Sequence, residues 1–513
     1  MNIHRATDIL QQLIDQGVST FCLCPGARNA PFVALLEANP HIETLTFYDE
    51  RSAGFFALGR ARRDKAPVVV ITTSGTAVSE LLSPVIEAWH SYVPIVVISA
   101  DRPKRMRGTG APQTIEQSQL FQNFVENSWD IEASEQVEIK VPRRRPCHIN
   151  ICFDEPLLDS LIERNLKIKV ATTNLQSNPS VVPAPTWSLK NCLIVVGGLE
   201  PNQRQDVWDF IIRQKTPVFA EALSGLRPLA RACECDHFLQ TDSQVRNLLK
   251  DHDVKSVLRL GDVPVGRFWR DLEDLKQIAV YSLSDKNFLG LSHGHIFCSE
   301  ISKENLMNLE VCPLEAQRND VSFTKTSFQI QSLYQAYPQS EVALLAKLNQ
   351  VIPSGDCVFV GNSLSVREWD LVDQSHSCVY ATRGVNGIDG QMSTALGLQE
   401  KGKPLWVILG DLTTLYDFSA FWLTPWLRDQ QQQVNVVVIN NRGGQIFSRI
   451  FSQKMFLNSH NLNFRPIADM WGWHYQKLEK MDPISLENKL NLIELLPDNV
   501  QSFQFWQALE QIW

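Results

Sequence analysis

Residues 405–447 read LWVILGDLTTLYDFSAFWLTPWLRDQQQQVNVVVINNRGGQIF. Two apolar runs in this stretch, Leu405 to Leu409 and Val434 to Ile439, have the length and β-branched content of buried strands. Each stops at a polar pair, Gly410-Asp411 and Asn440-Asn441. Two such strands about thirty residues apart, joined by an amphipathic stretch that reads as a crossover helix, make one parallel strand-helix-strand unit. Their carboxyl ends then share the edge at which open α/β sheets bind ligands. A Gly-Asp or Asn-Asn dipeptide is ordinarily a turn. Placed together at strand ends, Asp411 and Asn441 offer a carboxylate and an amide oxygen to one hard cation, with backbone oxygen near Gly443 as a third ligand. Such a donor set suits magnesium holding a diphosphate.

The spacing resembles the thiamine-diphosphate signature, a GD followed at this distance by NN, and it calls for a second half elsewhere in the chain. From the amino end, Ile9, Leu10, Leu13 and Ile14 share one helical face that closes at Gly17. The strand VSTFCLC breaks at Pro25-Gly26-Ala27-Arg28-Asn29, and ETLTFY ends in Asp49-Glu50-Arg51-Ser52 before a helix, AGFFALGRARRDK. PVVVITTSGTAVSELLSPVIEAWH then gives a strand, a polar turn at Thr72 to Thr76, and a helix whose amino end can receive an anion. VPIVVISADRP is a further strand ending in a charged turn. This alternation predicts a doubly wound α/β domain. Glu50, at a strand end among other polar strand ends, is the candidate acid for the aminopyrimidine ring. A carboxyl there drives the imino tautomer, whose nitrogen takes the thiazolium C2 proton.

At 513 residues the chain exceeds a single core, so two to four domains are expected. A hydrophobic share of 44% with 20% charged residues is that of an ordinary globular protein. A net charge of −8, with Arg143-Arg144-Arg145 as the one basic cluster, argues against nucleic-acid binding. No apolar stretch reaches the length of a membrane span and the amino terminus lacks a signal-peptide core, so no membrane partner and a cytoplasmic location are expected. The 11 cysteines lie scattered in apolar runs, and Cys233-Glu234-Cys235 has no second pair at zinc spacing; buried reduced thiols are expected.

The chain resembles the 2-succinyl-5-enolpyruvyl-6-hydroxy-3-cyclohexene-1-carboxylate (SEPHCHC) synthase family of thiamine-diphosphate enzymes. PGARNAPF, FYDERSAGFFALGRA, TTSGTAVSELLSPVIEAWHSYVPIVVISADRP, GAPQTIEQ and PCHINICFDEPL look like its pyrimidine-binding domain. GNSLSVREWD, TRGVNGIDGQMSTALG, GDLTTLYD and NNRGGQIF look like its diphosphate-binding domain. The resemblance and the pattern of elements together imply three doubly wound parallel-sheet α/β domains: 1–174 pyrimidine-binding, 188–325 middle, and 335–513 diphosphate-binding. Residues 175–190, rich in Asn, Ser and Pro, read as a linker. NCLIVVGG, PVFAEALSG, SVLRLGD and AVYSLSD are short strands of the middle domain, whose VVGGLE is not a dinucleotide fingerprint, so no second cofactor is inferred. Residues 300–340 read as linking, and FRPIADMWGWHY and SFQFWQALEQIW as helices on the third domain.

The resemblance implies decarboxylation of 2-oxoglutarate and conjugate addition of the resulting succinyl carbanion to isochorismate, in menaquinone or phylloquinone biosynthesis. Its cofactors would be thiamine diphosphate and Mg2+ or Mn2+. Dicarboxylate substrates call for arginine forks. By the same resemblance, Ser363, Arg367 and Arg383 hold the oxoglutarate-derived group. Arg28, Arg102 and Gln113 contact isochorismate, and Arg267 is a further substrate residue. Ile388, Ile446 and Phe447 pack on the cofactor. The family places the glutamate of one chain at the metal site of another, implying a homodimer or a dimer of dimers. The sequence departs from the family pattern at Ala27, Pro112, Arg442 and Phe268, where a serine, an asparagine, a different turn residue and a second basic residue are usual. The stretch from Trp129 to Cys147 is also short, lacking much of the usual helix. An alternative is another thiamine-diphosphate decarboxylase or carboligase with a different acceptor; a catalytically silent assembly protein would not need Glu50, Asp411 and Asn441 together.

Overall fold

The computed structural model describes residues 1–159, 166–167, 185–233, 235, 237–314, 323–479, 483–486 and 488–512. Its strands form three sheets in which every pairing is parallel. The first is ordered Glu43–Thr46, Thr20–Leu23, Val68–Thr72, Ile95–Asp101, Cys147–Cys152, Asn127–Glu132. The third is ordered Val379–Tyr380, Cys357–Val360, Leu405–Gly410, Val434–Ile439, Leu490–Leu495, His474–Leu478. Numbered by chain position, both follow 2-1-3-4-6-5. The middle sheet, His295–Cys298, Ala279–Ser284, Ser256–Leu260, Trp187–Val196, Val218–Ala220, Phe238–Leu239, has a different order, and Leu309–Pro313 joins it beside Trp187–Val196. The central strands Ile95–Asp101, Leu405–Gly410 and Val434–Ile439 are apolar runs buried on both faces, as parallel sheets covered by crossover helices require.

By contact density the chain divides into two units, 1–177 with 382–402 and 413–432, and 178–381 with 403–412 and 433–513. In the first, the helix Glu50–Asp64 packs on the helix Gln391–Gly397 with almost no side chain between them. A Cβ on Gly59 would lie 2.0 Å from the Thr394 carbonyl oxygen, and one on Gly397 would lie 2.2 Å from that of Phe56. Residues 133–146 contain no helix, as their shortness suggests, and still join two parallel strands. Two glutamines satisfy this extended backbone. Gln12 donates to the Val137 carbonyl (3.0 Å) and accepts from the Ile139 N–H (2.8 Å). Gln16 does the same for the Ile139 carbonyl (2.8 Å) and the Val141 N–H (3.0 Å).

Several expectations need correction. The crossover from Gly410 to Val434 is three short pieces, Asp411–Tyr416, Phe418–Leu423 and Thr424–Asp429, the last restarting at Pro425, which cannot continue a preceding helix. Residues 300–340 are not a simple link: they hold the helix Lys303–Met307, the strand Leu309–Pro313 and the helix Phe323–Ala336. In FRPIADMWGWHY the helix ends at Trp471 and His474 opens a strand, because Gly472 (φ 67°) caps it. The linker expected at 175–190 lies outside the described residues up to 184, and residues 187–190 are not linker but the start of the strand Trp187–Val196. Cys357 and Cys378 are not free thiols but a disulfide across adjacent strands, with Cα atoms 4.8 Å apart. Cys233, Cys298 and Cys312 are exposed rather than buried. Among the described residues no helix is long and apolar enough to cross a membrane.

Candidate active site

In the first unit the parallel strands send their carboxyl ends to one edge, and the candidates gather there. Glu50 is not in a strand-end loop but is the first residue of the helix Glu50–Asp64, capped by Asp49, whose side chain accepts from the Ser52 N–H at 3.1 Å. Glu50 Oε1 accepts from the Thr72 hydroxyl at 3.2 Å. Burial raises its pKa above the usual carboxylate value, against the opposing pull of that hydrogen bond. Arg28 is 8% exposed; its backbone N–H donates to Thr73 Oγ1 (3.3 Å), and its guanidinium donates to the Phe153 carbonyl (3.2 Å) and pairs with Glu155 (3.3 Å). Burial first and the nearby charge of Arg102 second lower its pKa. Arg102 Nε donates to the Pro112 carbonyl at 2.9 Å, so the departure at Pro112 spares this contact, which uses main chain only. Gln113 follows in an exposed, left-handed conformation (φ 54°).

Sequence reasoning missed the residue that holds this loop. Gln117, fully buried, accepts from the Gly75 N–H (3.1 Å) and donates to Ala100 O (3.1 Å) and Asn150 Oδ1 (2.8 Å). Its signal was its place in GAPQTIEQ. It also corrects the proposed anion site at Thr72 to Thr76: that helix is only Thr76–Ser79, and the Gly75 N–H at its start is already engaged. In the same unit the loop of Arg383 is anchored by Glu87, whose two carboxylate oxygens accept from Gly384 N (2.7 Å) and Val385 N (2.8 Å). Arg383 and Ile388 are half-buried there, beside a cleft of about 130 Å³ lined by Phe55, Ser83, Glu87, Val385, Gly387 and Asp389.

In the second unit the strands Leu405–Gly410 and Val434–Ile439 pair in register, Gly410 opposite Ile439. This sets Asp411 and Asn441 side by side. Asp411 is 2% exposed and Asn441 6%. Asp411 Oδ2 accepts from the Gly443 N–H at 2.9 Å and lies 3.2 Å from His460 Nε2; Oδ1 accepts from the Leu412 N–H at 2.6 Å. Burial lifts the Asp411 pKa while these N–H groups oppose it. Asn441 Nδ2 donates to Glu341 Oε2 at 2.9 Å, and Asn441 Oδ1 is buried with no hydrogen-bond partner among the described residues. The turn that brings Gly443 onto Asp411 needs Arg442 at φ 65° and Gly443 at φ 132°, where a Cβ would lie 2.3 Å from the Leu457 carbonyl. The Gly443 carbonyl accepts from the Gln445 N–H at 2.8 Å, leaving its second lone pair for a ligand. A buried carboxylate, an orphaned amide oxygen and a turn carbonyl form an all-oxygen set that fits a divalent hard cation. His460, Glu341 and the buried Glu368 behind it were not foreseen, since nothing in their local sequence sets them apart.

The remaining candidates also lie in this unit. Ser363 caps the helix Leu364–Val372 at φ 71°, and its carbonyl accepts from Arg367 Nη1 at 2.6 Å. Ile446 is half-buried and Phe447 exposed on the turn Gln445–Phe447. Arg267 is exposed and lies 3.6 Å from Asp271. Where a second basic residue was expected, Phe268 is a fully buried core residue stacked edge-on against Phe219 at 5.2 Å. Arg270, one turn on, is the other exposed base of that helix and is among the charges felt by Arg367.

Residues 3–120 match the family described as thiamine pyrophosphate enzyme, N-terminal TPP binding domain. The fold is similar to that of benzoylformate decarboxylase from Polynucleobacter necessarius (TM-score 0.69, 15% identity, 96% of this chain and 98% of that one). The chain is 36% identical to a SEPHCHC synthase of Bdellovibrio bacteriovorus over 100% of its length and 99% of the relative's. It is 34% identical to one of Akkermansia muciniphila, over 97% and 96% of the two chains. The chain belongs to the SEPHCHC synthase family of thiamine-diphosphate enzymes with a divalent metal.

Proposed function

We propose that the residues described above carry the SEPHCHC synthase reaction: 2-oxoglutarate loses carbon dioxide and its remaining four-carbon unit adds to the ring alkene of isochorismate. The product serves menaquinone or phylloquinone synthesis. When bound, the cofactor supplies a thiazolium carbon that accepts the electrons of the breaking carbon–carbon bond. Asp411, Asn441 Oδ1 and the Gly443 carbonyl would hold Mg2+ or Mn2+ on its diphosphate. Burial raises the Glu50 pKa and the Thr72 hydroxyl fixes Oε1, which leaves Oε2 to meet the aminopyrimidine nitrogen. Arg28 and Arg102, with Gln113, would bind the isochorismate carboxylates; Ser363, Arg367 and Arg383 would bind the oxoglutarate-derived group, and Arg267 is a further substrate residue. Ile388, Ile446 and Phe447 would line the apolar wall. The single observation that carries this reading is the buried Asn441 Oδ1, without a hydrogen-bond partner among the described residues, beside a buried Asp411 at paired strand ends.

We assign the pyrimidine side to residues 1–174, a middle domain to 188–325 and the diphosphate side to 335–513. The assembly is a homodimer, or a dimer of dimers, in which Glu50 of one copy serves the cation site of another. Two exposed apolar patches support this: Tyr48, Tyr416 and Trp422 around Glu50, and Ile450, Phe451, Met455 and Phe456 after Asn441. The enzyme works in the cytoplasm, without nucleic-acid or membrane partners. The test is to supply 2-oxoglutarate, thiamine diphosphate and Mg2+ with and without isochorismate. Isochorismate loss matched to carbon dioxide release is expected; carbon dioxide with isochorismate untouched would assign a decarboxylase using another acceptor.

A further inference from the structure

Glu341 opens the helix Glu341–Val351, and its main chain is pinned from two sides. The Ser340 side chain caps the helix, accepting from the Ala343 N–H at 3.2 Å, and Ser502 Oγ accepts from the Glu341 N–H at 2.9 Å. The Glu341 side chain is 3% exposed and its Oε2 accepts from Asn441 Nδ2 at 2.9 Å. Asn441 is held equally firmly through its own carbonyl, which accepts from Asn499 Nδ2 (2.9 Å) and Gln445 Nε2 (3.2 Å). Behind Glu341 lies Glu368, 1% exposed, whose Oε1 accepts from Trp506 Nε1 at 3.4 Å. Among the described residues neither acid has a basic side chain within ion-pair distance. Burying two acids without a cation costs the fold free energy. Their presence calls for a task.

We propose that Glu341 is a positioning residue for the metal, orienting the Asn441 amide so that oxygen rather than nitrogen faces the cation. An amide has one donor end and one acceptor end, nearly identical in shape. With its NH2 committed to an acceptor-only carboxylate, the oxygen is the end left over, and Asn441 Oδ1 is indeed buried without a hydrogen-bond partner among the described residues. The flipped amide would set oxygen against the Glu341 oxygen and an N–H against the metal, two unfavourable contacts at once. The inference rests on the assignment of Asn441 as a ligand.

The test uses the full chain with thiamine diphosphate present, titrating Mg2+ by calorimetry, and thermal unfolding of the protein without metal or cofactor. Glu341→Met keeps the length of the side chain and removes the acceptor. It is expected to weaken Mg2+ binding by about tenfold or more, as loss of a ligand-orienting partner does, while the unfolding midpoint stays equal or rises. Glu341→Gln retains an acceptor oxygen and is expected to stay within about threefold of the native affinity. Exchanging donor and acceptor by combining Asn441→Asp with Glu341→Gln is expected to bind Mg2+ more tightly than Asn441→Asp alone, a comparison that holds even if Glu341→Met does not fold. Unchanged affinity in Glu341→Met, equal losses in the Met and Gln variants, or no recovery in the exchange pair would overturn the proposal. Asp411→Ala separates the two levels. If it also binds Mg2+ normally, the cation site itself is misassigned; if it fails while Glu341→Met does not, only the role of Glu341 falls.

Discussion

Two sheet edges of the same topology carry opposite chemistry. At the carboxyl edge of the first sheet the candidate residues are mainly donors, Arg28, Arg102 and the Thr72 hydroxyl, while the acids there are already engaged, Glu50 by that hydroxyl and the buried Asp101 by Arg107 and Asn150. At the carboxyl edge of the third sheet they are acceptors: Asp411, Asn441 Oδ1, Glu341 and Glu368. A strand order of 2-1-3-4-6-5 aims six loops at one rim in both cases and is indifferent to what those loops carry. The first edge suits anionic substrates and the pyrimidine ring, the third a cation and its diphosphate.

Four substitutions would break or sharpen that contrast. Glu50→Gln should still bind cofactor but slow exchange of its C2 proton by roughly 10²–10⁴-fold; exchange at the native rate, followed by NMR in D2O, removes Glu50 from the chemistry. Asp411→Ala should weaken Mg2+-dependent cofactor binding by about a hundredfold, at the upper end of what metal-site partners contribute; an unaltered calorimetric titration would detach the acceptor-rich edge from the metal. Arg28→Lys keeps the charge but loses the planar fork, and should raise KM for isochorismate about tenfold with kcat little altered. A fall in kcat alone would place Arg28 elsewhere in the mechanism.

The smallest effect concerns an acceptor buried on the donor-rich side. Asp417 accepts from the Ser393 N–H (2.6 Å) and hydroxyl (2.9 Å), and burial pushes its pKa up to about 7. A carboxyl raised above its unfolded value of about 3.9 favours the folded state most at low pH, and that contribution is lost as pH climbs from about 4 to 7. Asp417→Asn should flatten this decline by up to about 1 kcal/mol per pH unit, measured by urea unfolding at pH 5 and pH 8. An unchanged slope would show that Asp417 titrates normally.

Much of this was legible in the residues because continuous β-branched runs have one comfortable home. Val434–Ile439 and Ile95–Asp101 are central strands for that reason, and the polar pairs that end such runs mark the rim. Legibility failed where tertiary context outweighs local pattern. Leu309–Pro313 is largely exposed and irregular in register beside its partner, so its five residues lack the apolar density of a buried strand. Glu50 reads as a strand end, yet Asp49 satisfies an N–H of the first helical turn and starts the helix at Glu50, three residues before the expected Ala53. Phe268 stands at a position expected to be basic, and only packing against Phe219 reveals it as core. The partners of the candidate residues, Glu341 on Asn441 and Gln117 on Gly75, lie 100 and 42 positions away along the chain, and no spacing rule reaches that far.

The bare-backbone crossing at Gly59 and Gly397 mechanically links Glu50, which begins one helix, to Ile388, just ahead of the other. A substitution with any larger side chain at either glycine would pry both ends apart together. Variation in what this pocket accepts must therefore come from exchanging rim side chains while the two rods beneath stay locked like a hinge pin in its barrel.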